Sequence, residues 1–340
     1  MDLNKQKLKD ESLTFSVIIS TYNRSKELKE TLSSILTQET TLPKEVLIVD
    51  DSDDGETERL FEDMRKEFEA KNINLIYIKN PKQKSLTVAR NIGVEHSRGD
   101  VIVFLDDDVT LDKNFFAEVL YVYKNYPNVK GVQGFWGKNI KMTFLSQLLN
   151  TLKKFFLLSH YERDKCRVLP CFNQTYPYML TGITRCQWLS GCNQSYVRSI
   201  FKEFRYDEKL LRYSFGEDLD FSYRVYSKYS GSLFITPKAK LVHRGALKTL
   251  TEKLIYMQVV YSHYLFHKNM GYSTKNRLAF GWSRIGTVIL NILGLMFPRE
   301  RSVRERLFIL KHSVKAEILC FRYRNKIRKG NLEFLRTIIE

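Results

Sequence analysis

One stretch of the sequence, Gly99–Val109 (GDVIVFLDDDV), most restricts how the chain can fold. Within it, Val101–Leu105 is a short apolar run between turn signals, which predicts a strand buried on both faces of a parallel sheet. Asp106, Asp107 and Asp108 follow where that strand would end. Adjacent carboxylates repel one another and are costly to desolvate. The cluster therefore predicts a site for Mg²⁺ or Mn²⁺ bound together with substrate phosphates, with a solvated acidic loop as the alternative.

Strands alternate with helices through the first hundred residues. Apolar runs predict strands, and the segments between them carry apolar residues at helical spacing. The predicted strands are Phe15–Ser20, Glu45–Val49, Asn74–Ile78 and Val101–Leu105, and the predicted helices are Lys26–Gln38, Glu56–Lys71 and Ser85–Ser97. This alternation predicts an α/β fold with a mainly parallel, Rossmann-like sheet and flanking helices.

The carboxyl ends of the predicted strands are the expected position of a ligand site. Asp50-Asp51 and the acidic triplet at 106–108 would both lie there. No GxGxxG follows the first strand, and no GxxxxGKS/T occurs in the sequence. These absences exclude an ordinary dinucleotide fold and a P-loop. A metal ion, and not a glycine-rich helix start, is expected to hold the phosphates.

Positive charge is concentrated in the last hundred residues. The chain carries a net charge of +17, and residues 241–340 hold 19 Lys and Arg against 6 Asp and Glu. Ile285–Phe297 is an uncharged apolar run, too short to span a bilayer easily, and Arg299 and Arg301 follow it. Val303–Lys329 has apolar residues at helical spacing among nine Lys and Arg. We expect basic amphipathic helices on an anionic membrane surface; packing on the rest of the protein and nucleic-acid binding are the weaker alternatives.

Cysteine usage and the N-terminal residues indicate the compartment. The five cysteines are odd in number and form no CxxC pair, which argues against a disulfide framework and for a reducing environment. The first twelve residues, MDLNKQKLKDES, have no apolar core, so we expect no signal peptide.

Five motifs in a fixed order resemble glycosyltransferase family 2, the inverting transferases of the GT-A fold. They are FSVIISTYNR, EVLIVDDSDDGE, ARNIGVEHSRGDVIVFLDDD, WLSGCNQSYVR and GEDLDFSYR, within about residues 15–245. The resemblance implies a GT-A catalytic domain at 1–245. Its nucleotide-binding half would be about 15–110 and its acceptor-binding half about 111–245. The remaining residues, 246–340, would form the helical, basic, membrane-associating region.

The resemblance also implies a binding site for the nucleotide-sugar. The implied contacts are Thr21, Tyr22, Arg24, Asp50, Asp51, Arg90, Asn91, Asp106 and Asp107. Asp51, or Asp50 beside it, would contact the base, although Asp50-Asp51-Ser52 would also suit an Asx-turn. Arg90 and Asn91 match ARNxG and would lie near the ribose or diphosphate, with a helical surface pair as the alternative.

Metal binding is implied for the DxD motif. Asp108 would bind the cation directly, and Asp106 would contact the ribose or the water shell of the metal. Asp107 has no defined role in the family pattern. His243, at the end of LVHRG, would complete the set of ligands and would favour Mn²⁺ over Mg²⁺; a structural histidine is the alternative.

The acceptor side is implied by two further motifs. Gly191 and Asn193 match GxN, with Trp188 just before them. Glu217 and Asp218 match the ED motif, with Asp218 as the general base of a single in-line displacement. Helix N-capping is the alternative for Asn193, before an expected helix at 194–200, and for the ED motif.

The sequence thus predicts an inverting, metal-dependent glycosyltransferase on the cytoplasmic face of the cell membrane. It would move a sugar from a UDP- or GDP-linked donor to a lipid-linked or membrane-proximal acceptor. Processive members carry QxxRW after the ED motif, whereas only Arg224 follows nearby here, so we expect one sugar per acceptor. A nucleotidyltransferase acting on sugar phosphates and a non-catalytic sugar-nucleotide-binding scaffold are the rival interpretations.

Overall fold

The computed structural model describes residues 13–136, 143–245, 250–296 and 301–339. Arg299 and the N-terminal segment considered above lie outside the described residues. The chain divides into two compact units. The sheet unit comprises Met1–Lys138, Leu180–Glu208 and Glu217–Ala246, and the helical unit comprises Asn139–Met179, Lys209–Gly216 and Leu247–Glu340.

Nine strands of the sheet unit form one sheet. They are β1 (Phe15–Thr21), β2 (Glu45–Asp50), β3 (Asn74–Lys79), β4 (Val101–Asp106), β5 (Val109–Leu111), β6 (Gly131–Phe135), β9 (Thr184–Cys186), β10 (Gln194–Val197) and β11 (Leu233–His243). The strand order is β3-β2-β1-β4-β10-β6-β11-β5, and β9 also pairs with β11. Neighbours from β3 to β4 are parallel, β10 is antiparallel to both β4 and β6, and β6 is parallel to β11. The predicted α/β fold is confirmed.

Helices of the sheet unit follow the strands, the first three of them as the apolar periodicity predicts. They are α1 (Ser25–Leu36), α2 (Glu56–Glu69), α3 (Leu86–His96), α4 (Phe115–Asn125) and α6 (Glu217–Lys228). Their apolar faces pack on β-branched side chains of the strands; Leu28, Leu32 and Ile35 of α1, for example, are fully buried. Each such burial stabilises the fold by about 1.5–3 kcal/mol.

Gly99 fixes the start of β4 beside β1. A Cβ atom there would lie within about 2.5 Å of the Phe15 and Ser16 backbone, so no larger residue fits without moving the strand. The register pairs Ser20 with Asp106. The acidic triplet therefore emerges at the carboxyl edge of the sheet, beside the loop that follows β1.

The helical unit contains the remaining described elements. They are α5 (Phe144–Phe155), β7 (His160–Glu162), β8 (Thr175–Pro177), α7 (Glu252–Asn269), α8 (Thr274–Met296), α9 (Val303–Arg322), α10 (Arg324–Arg328) and α11 (Glu333–Ile339). Helix α7 is its core, since Val260, Tyr261 and Phe266 are fully buried. The predicted C-terminal helices are present, and 139–179 and 209–216 group with them.

The apolar run beginning at Ile285 belongs, through Met296, to a longer helix than its composition suggests. Helix α8 begins at Thr274, and the 22 residues Thr274–Leu295 are the one helix among the described residues long and apolar enough to cross a membrane. The uncharged run alone is too short to span a bilayer, whereas the helix that contains it is long enough by length and composition.

Candidate active site

Antiparallel pairing of β5 with β11 brings His243 to the acidic turn. The register places His243 opposite Val109, directly after Asp108. Nε2 of His243 lies 3.0 Å from Oδ1 of Asp108 and 3.7 Å from Oδ2 of Asp106. One ligand atom from each of these three residues lies within 4.8 Å of the others. Three residues that the sequence analysis assigned to a metal are therefore adjacent.

These three residues fit a divalent cation. Asp108 is buried, and its Oδ1 faces Nε2 of His243 at 3.0 Å; a buried carboxylate is costly unless positive charge compensates it. Two carboxylates with one imidazole are a suitable donor set for Mn²⁺. The contact with Asp108 raises the pKa of His243 to about 11. The protonated ring then supplies positive charge to the carboxylates, whereas a bound cation would require the neutral ring.

Arg24 and Thr21 hold the other face of the acidic turn. Nη1 of Arg24 lies 2.9 Å from Oδ1 of Asp107, and Nη2 lies 2.8 Å from Oδ2 of Asp108. The Thr21 hydroxyl donates to Oδ2 of Asp107 at 2.8 Å. Burial raises the pKa of Asp107 to about 7, although Arg24 and Thr21 act to lower it. The Asp107 side chain thus connects the acidic turn to the loop after β1.

Asp50 and Asp51 differ sharply in their surroundings. Asp50 is fully buried; it accepts from the Ser52 amide at 2.9 Å, the predicted Asx-turn, and from Tyr77 and Lys79 at 2.9 and 3.1 Å. Asp51 accepts from the side chain of Asn80 at 2.6 Å. Its pKa is raised by burial. Of the two carboxylates, Asp51 remains the better predicted contact for a base.

Tyr22 is exposed beside this loop. About half of its surface, 48%, is accessible, and the Lys84 ammonium lies 5.5 Å from its ring centroid. An accessible aromatic face next to a cation suits a nucleotide. Its role in the predicted pocket stays a prediction.

Arg90 links the two acidic motifs. Its Nη1 lies 2.6 Å from Oε1 of Glu217, and its Nη2 lies 3.5 Å from Oδ1 of Asp106. The same Nη2 donates to the Gly191 carbonyl at 3.0 Å. The side chains of Arg90 and Glu217 are only 3% and 7% exposed. Arg90 is therefore a buried internal cation and not the helical surface residue of the alternative interpretation.

Glu217 and Asp218 are adjacent in sequence but differ in access. Burial raises the pKa of Glu217 well above its usual range, with Arg90 opposing the shift. Asp218 is half-buried and accepts from the Gly191 and Leu219 amides at 2.9 and 2.7 Å. Burial raises its pKa too, against these two donors. Asp218 is the more exposed residue of this pair.

Gly191 packs closely against the buried ion pair of Arg90 and Glu217. A Cβ atom there would lie 3.0 Å from Oε1 of Glu217 and 3.2 Å from Nη2 of Arg90. A side chain at this position would disturb both partners of the buried ion pair. The glycine of the GxN motif thus leaves space for the side chains of Arg90 and Glu217.

Three other predicted site residues are built into the framework. Asn91 donates to the Tyr206 carbonyl and accepts from its amide, both at 3.0 Å. Asn193 accepts from the Gly134 amide at 2.6 Å, and Trp188 is only 2% exposed. The N-cap alternative for Asn193 is wrong because the strand β10, and not a helix, follows it.

Tyr206 was absent from the sequence analysis. Its ring centroid lies 5.4 Å from the Arg90 guanidinium, and it stacks on Phe221 with centroids 4.3 Å apart. It therefore packs against the cation that connects the motifs. No local pattern indicates this contact, since the two residues lie 116 positions apart.

The sheet unit thus has two carboxylates and an imidazole at its edge, and the buried Arg90 joins them to a second acidic motif. Solved structures of the GT-A fold resemble the chain. GalNAc-T7 with UDP, GalNAc and Mn²⁺ has a TM-score of 0.53 and 16% identity, over 81% of this chain and 55% of that one. The mannosyltransferase PcManGT from Pyrobaculum calidifontis, with GDP-Man and Mn²⁺, has a TM-score of 0.53 and 13% identity, over 97% and 90%.

Sequence comparison gives the family. Residues 16–181 match the model described as glycosyl transferase family 2. Chondroitin synthase of Escherichia coli is 27% identical over 276 residues, 72% of this chain, and the glucosyl-dolichyl phosphate glucuronosyltransferase of Haloferax volcanii is 30% identical over 122 residues, 35% of this chain. The aligned parts cover 38% and 37% of these relatives. The region 16–181, about half of the chain, thus belongs to glycosyltransferase family 2.

Proposed function

We propose that the protein is an inverting, metal-dependent glycosyltransferase that moves one sugar from a UDP- or GDP-linked donor to a lipid-linked or membrane-proximal acceptor. The observation that carries the proposal is the position of Arg90. This buried residue contacts Asp106, beside the candidate metal ligands, and Glu217, beside the candidate base. The two groups that such a transfer needs are thus coupled within the sheet unit.

Asp106, Asp108 and His243 would hold the cation. When bound, the cation supplies counter-charge to the diphosphate leaving group. Arg24, already paired with Asp107 and Asp108, keeps the loop after β1 next to the acidic turn. Thr21, Tyr22 and Asp51 then lie on the side where the nucleotide would bind.

Asp218 would take the proton of the acceptor hydroxyl as the sugar is transferred, which is the requirement of a single displacement with inversion. Its partial exposure supports this role. The amides of Gly191 and Leu219 fix the orientation of its carboxylate. Glu217 is held by Arg90 and buried, so it positions its neighbour and does not itself receive the proton.

The names of similar proteins support the choice of donor and acceptor. The two solved structures contain UDP or GDP-Man with Mn²⁺. The name of the Haloferax relative specifies a dolichyl phosphate-linked substrate. We extend both features to this chain: a nucleotide-sugar donor with Mn²⁺, and an acceptor carried on a lipid.

Attachment to the cytoplasmic face of the membrane is part of the proposal. The apolar side chains of Leu307, Ile318 and Phe321 on α9 are 51%, 63% and 71% exposed, among the basic residues that favour anionic lipid. Near the middle of α8, Nε of Arg284 donates to Glu317 at 2.6 Å. Because charged groups at the bilayer centre are costly, we favour helices lying in the interface over a spanning α8. The free cysteines fit a reducing compartment.

A thermal-shift panel of nucleotide-sugars, each with Mn²⁺ and with Mg²⁺, tests the proposed donor and metal. A ligand at 100 times its Kd adds about 2.7 kcal/mol to the free energy of unfolding. We expect stabilisation by one UDP- or GDP-sugar, larger with Mn²⁺ than with EDTA. Equal stabilisation in EDTA would contradict metal dependence, and no stabilisation by any donor would contradict the transferase proposal.

A further inference from the structure

Helix α5 shows an apolar face to solvent. None of its residues is buried, and the side chains of Phe144, Leu148 and Phe155 are 84%, 48% and 62% exposed. Leu145, Leu149 and Leu152 lie on the same helical side. Amphipathic helices of globular proteins normally turn such a face toward the core. The exposed face of α5 therefore indicates a partner outside the chain.

The C-terminal end of α5 is anchored on α8. Nε1 of Trp282 donates to the Phe155 carbonyl at 2.8 Å, and the Trp282 ring lies 5.3 Å from that of Phe155 and 5.1 Å from that of Phe156, centroid to centroid. A Cβ at Gly286 would overlap Phe156. The glycine thus allows close packing, and α5 is held in place as part of the helical unit.

Helix α8 also exposes apolar side chains. Leu278, Ile285 and Ile292 are 72%, 52% and 48% exposed, at spacings of seven residues along the helix. The helix to which α5 is anchored is also the one helix among the described residues that is long and apolar enough to cross a membrane. The exposed apolar residues of α5 are thus accompanied by exposed apolar residues of α8 in the same helical unit.

The basic residues of the helical unit indicate the chemistry of the partner that would cover the apolar face of α5. Lys153 and Lys154 occupy the last turn of α5 and are exposed, and the basic residues of 247–340 belong to the same unit. Lys and Arg beside exposed Phe, Leu and Trp match the interface of an anionic bilayer, where acyl chains meet negative headgroups. A nucleic acid would match the lysines but leave the phenylalanines exposed.

We propose that α5 is a further membrane-binding helix, which inserts Phe144, Leu148 and Phe155 into the interface of an anionic bilayer. The inference rests on the proposed membrane attachment and extends it beyond residues 246–340. It assigns a function to a helix that the sequence analysis did not place.

Co-sedimentation with phosphatidylcholine vesicles, with and without phosphatidylglycerol, tests the proposal on the full chain. The test variant is Phe144→Asp with Leu148→Asp. The matched control is Ser146→Asp with Gln147→Asp, which adds the same charge on the polar side of α5. Each CH₂ group withdrawn from the bilayer weakens partitioning by about fourfold, so the test variant should bind about tenfold less or weaker still, while the control stays near wild type.

A second measurement gives an answer even if the Phe144→Asp, Leu148→Asp variant does not fold. An environment-sensitive fluorophore on Phe144→Cys should shift to the blue with phosphatidylglycerol vesicles, and the same label on Gln147→Cys should shift less. Circular dichroism checks that all variants are folded. Equal shifts at the two positions would overturn the insertion of this face.

The outcomes separate this inference from the membrane attachment itself. Wild type that stays in the supernatant with anionic vesicles would refute both. If Ile289→Asp with Ile292→Asp on α8 weakens binding but the α5 variant binds like wild type, attachment stands and the role of α5 is refuted. A wild-type dimer without vesicles that the α5 variant dissociates would make α5 a protein interface and would also refute the inference.

Discussion

The sheet unit and the helical unit depart from the usual distribution of polarity in opposite directions. The sheet unit buries charge: Arg90, Glu217, Asp50 and Asp108 are all less than a tenth exposed. The helical unit exposes hydrophobic surface, with Phe144, Leu278 and Phe321 more than two-thirds accessible. Buried charges and exposed apolar patches are the informative exceptions in a folded protein. The first supports the proposed site for a charged donor, and the second supports the proposed membrane-binding surface.

The difference also concerns how each region is stabilised. In the sheet unit, every buried charge named above has an opposite charge or a hydrogen-bond donor within reach, so removing one partner should be costly. In the helical unit, the exposed apolar side chains contribute little to folding. Substitutions of the buried charges should therefore have large effects on activity or stability, whereas substitutions of the exposed apolar side chains should have small effects on stability.

The largest effect is expected at Asp218. Asp218→Asn should lower sugar transfer about 10²–10⁴-fold while the nucleotide-sugar still binds, because the amide accepts no proton. Transfer is measured as release of nucleoside diphosphate with the donor found in the thermal-shift panel and membrane extract as acceptor. Asp63→Asn, at an exposed position of α2, is the control. Near-normal transfer by Asp218→Asn would show that the base lies elsewhere.

The second-largest effect is expected at Arg90, the buried arginine of the sheet unit. Arg90→Met should reduce the free energy of unfolding by about 3–5 kcal/mol, since it leaves the buried Glu217 carboxylate without its partner. Urea denaturation measures the loss. Adding Glu217→Gln to Arg90→Met should restore part of it. Arg59→Met, which breaks an exposed pair with Glu56, should cost about 1 kcal/mol or less, and an equal cost for both arginines would contradict the role of Arg90.

A smaller effect is expected at the ion cluster of the helical unit. Burial would raise the pKa of Glu317, but His263 and Arg284 hold it below its ordinary value. A lowered folded-state pKa means stability that is present above the ordinary pKa and lost as pH falls. Glu317→Gln should therefore cost about 1.5–3 kcal/mol at neutral pH and flatten the loss of stability between about pH 5 and pH 3. An unchanged pH dependence in denaturant titrations would argue against this linkage.

The smallest effect is expected on the exposed apolar surface. Leu278→Ala on α8 should change the free energy of unfolding by no more than about 0.5 kcal/mol. Leu265→Ala on α7, where the leucine is 2% exposed, should cost about 2–5 kcal/mol. Similar losses for the two leucines in thermal or urea unfolding would mean that the face around Leu278 is packed within the protein.

Local sequence patterns predicted much of the sheet unit. Strands β1, β2, β3 and β4 and the helices between them agree with the predicted ranges to within a few residues, because apolar periodicity is set by neighbours in sequence. The acidic turn after β4 could be found for the same reason. His243 could be proposed only through the resemblance, and the pairing of β5 with β11 gives the proposal its geometry.

Contacts between distant residues were not predictable in this way. The pairing of Arg90 with Glu217 joins α3 to α6 across more than a hundred residues, and nothing near Arg90 indicates that it is buried. Asn91 and Asn193 match family motifs, yet they hold backbone amides. The exposed face of α5 is evident only once the fold shows that no element covers it among the described residues.

The proposed function depends on a cation, held by Asp106, Asp108 and His243, that binds a nucleoside diphosphate. Isothermal titration of UDP and of GDP, with Mn²⁺ and with EDTA, tests it most directly, using wild type, Asp108→Ala and the exposed control Asp63→Ala. We expect wild type and Asp63→Ala to bind one of the two nucleotides with Mn²⁺ and to lose about tenfold or more in affinity in EDTA, as expected when a diphosphate loses its counter-ion. Asp108→Ala should bind weakly under both conditions. Equal affinity of folded wild type and Asp108→Ala, unchanged by EDTA, would contradict the account.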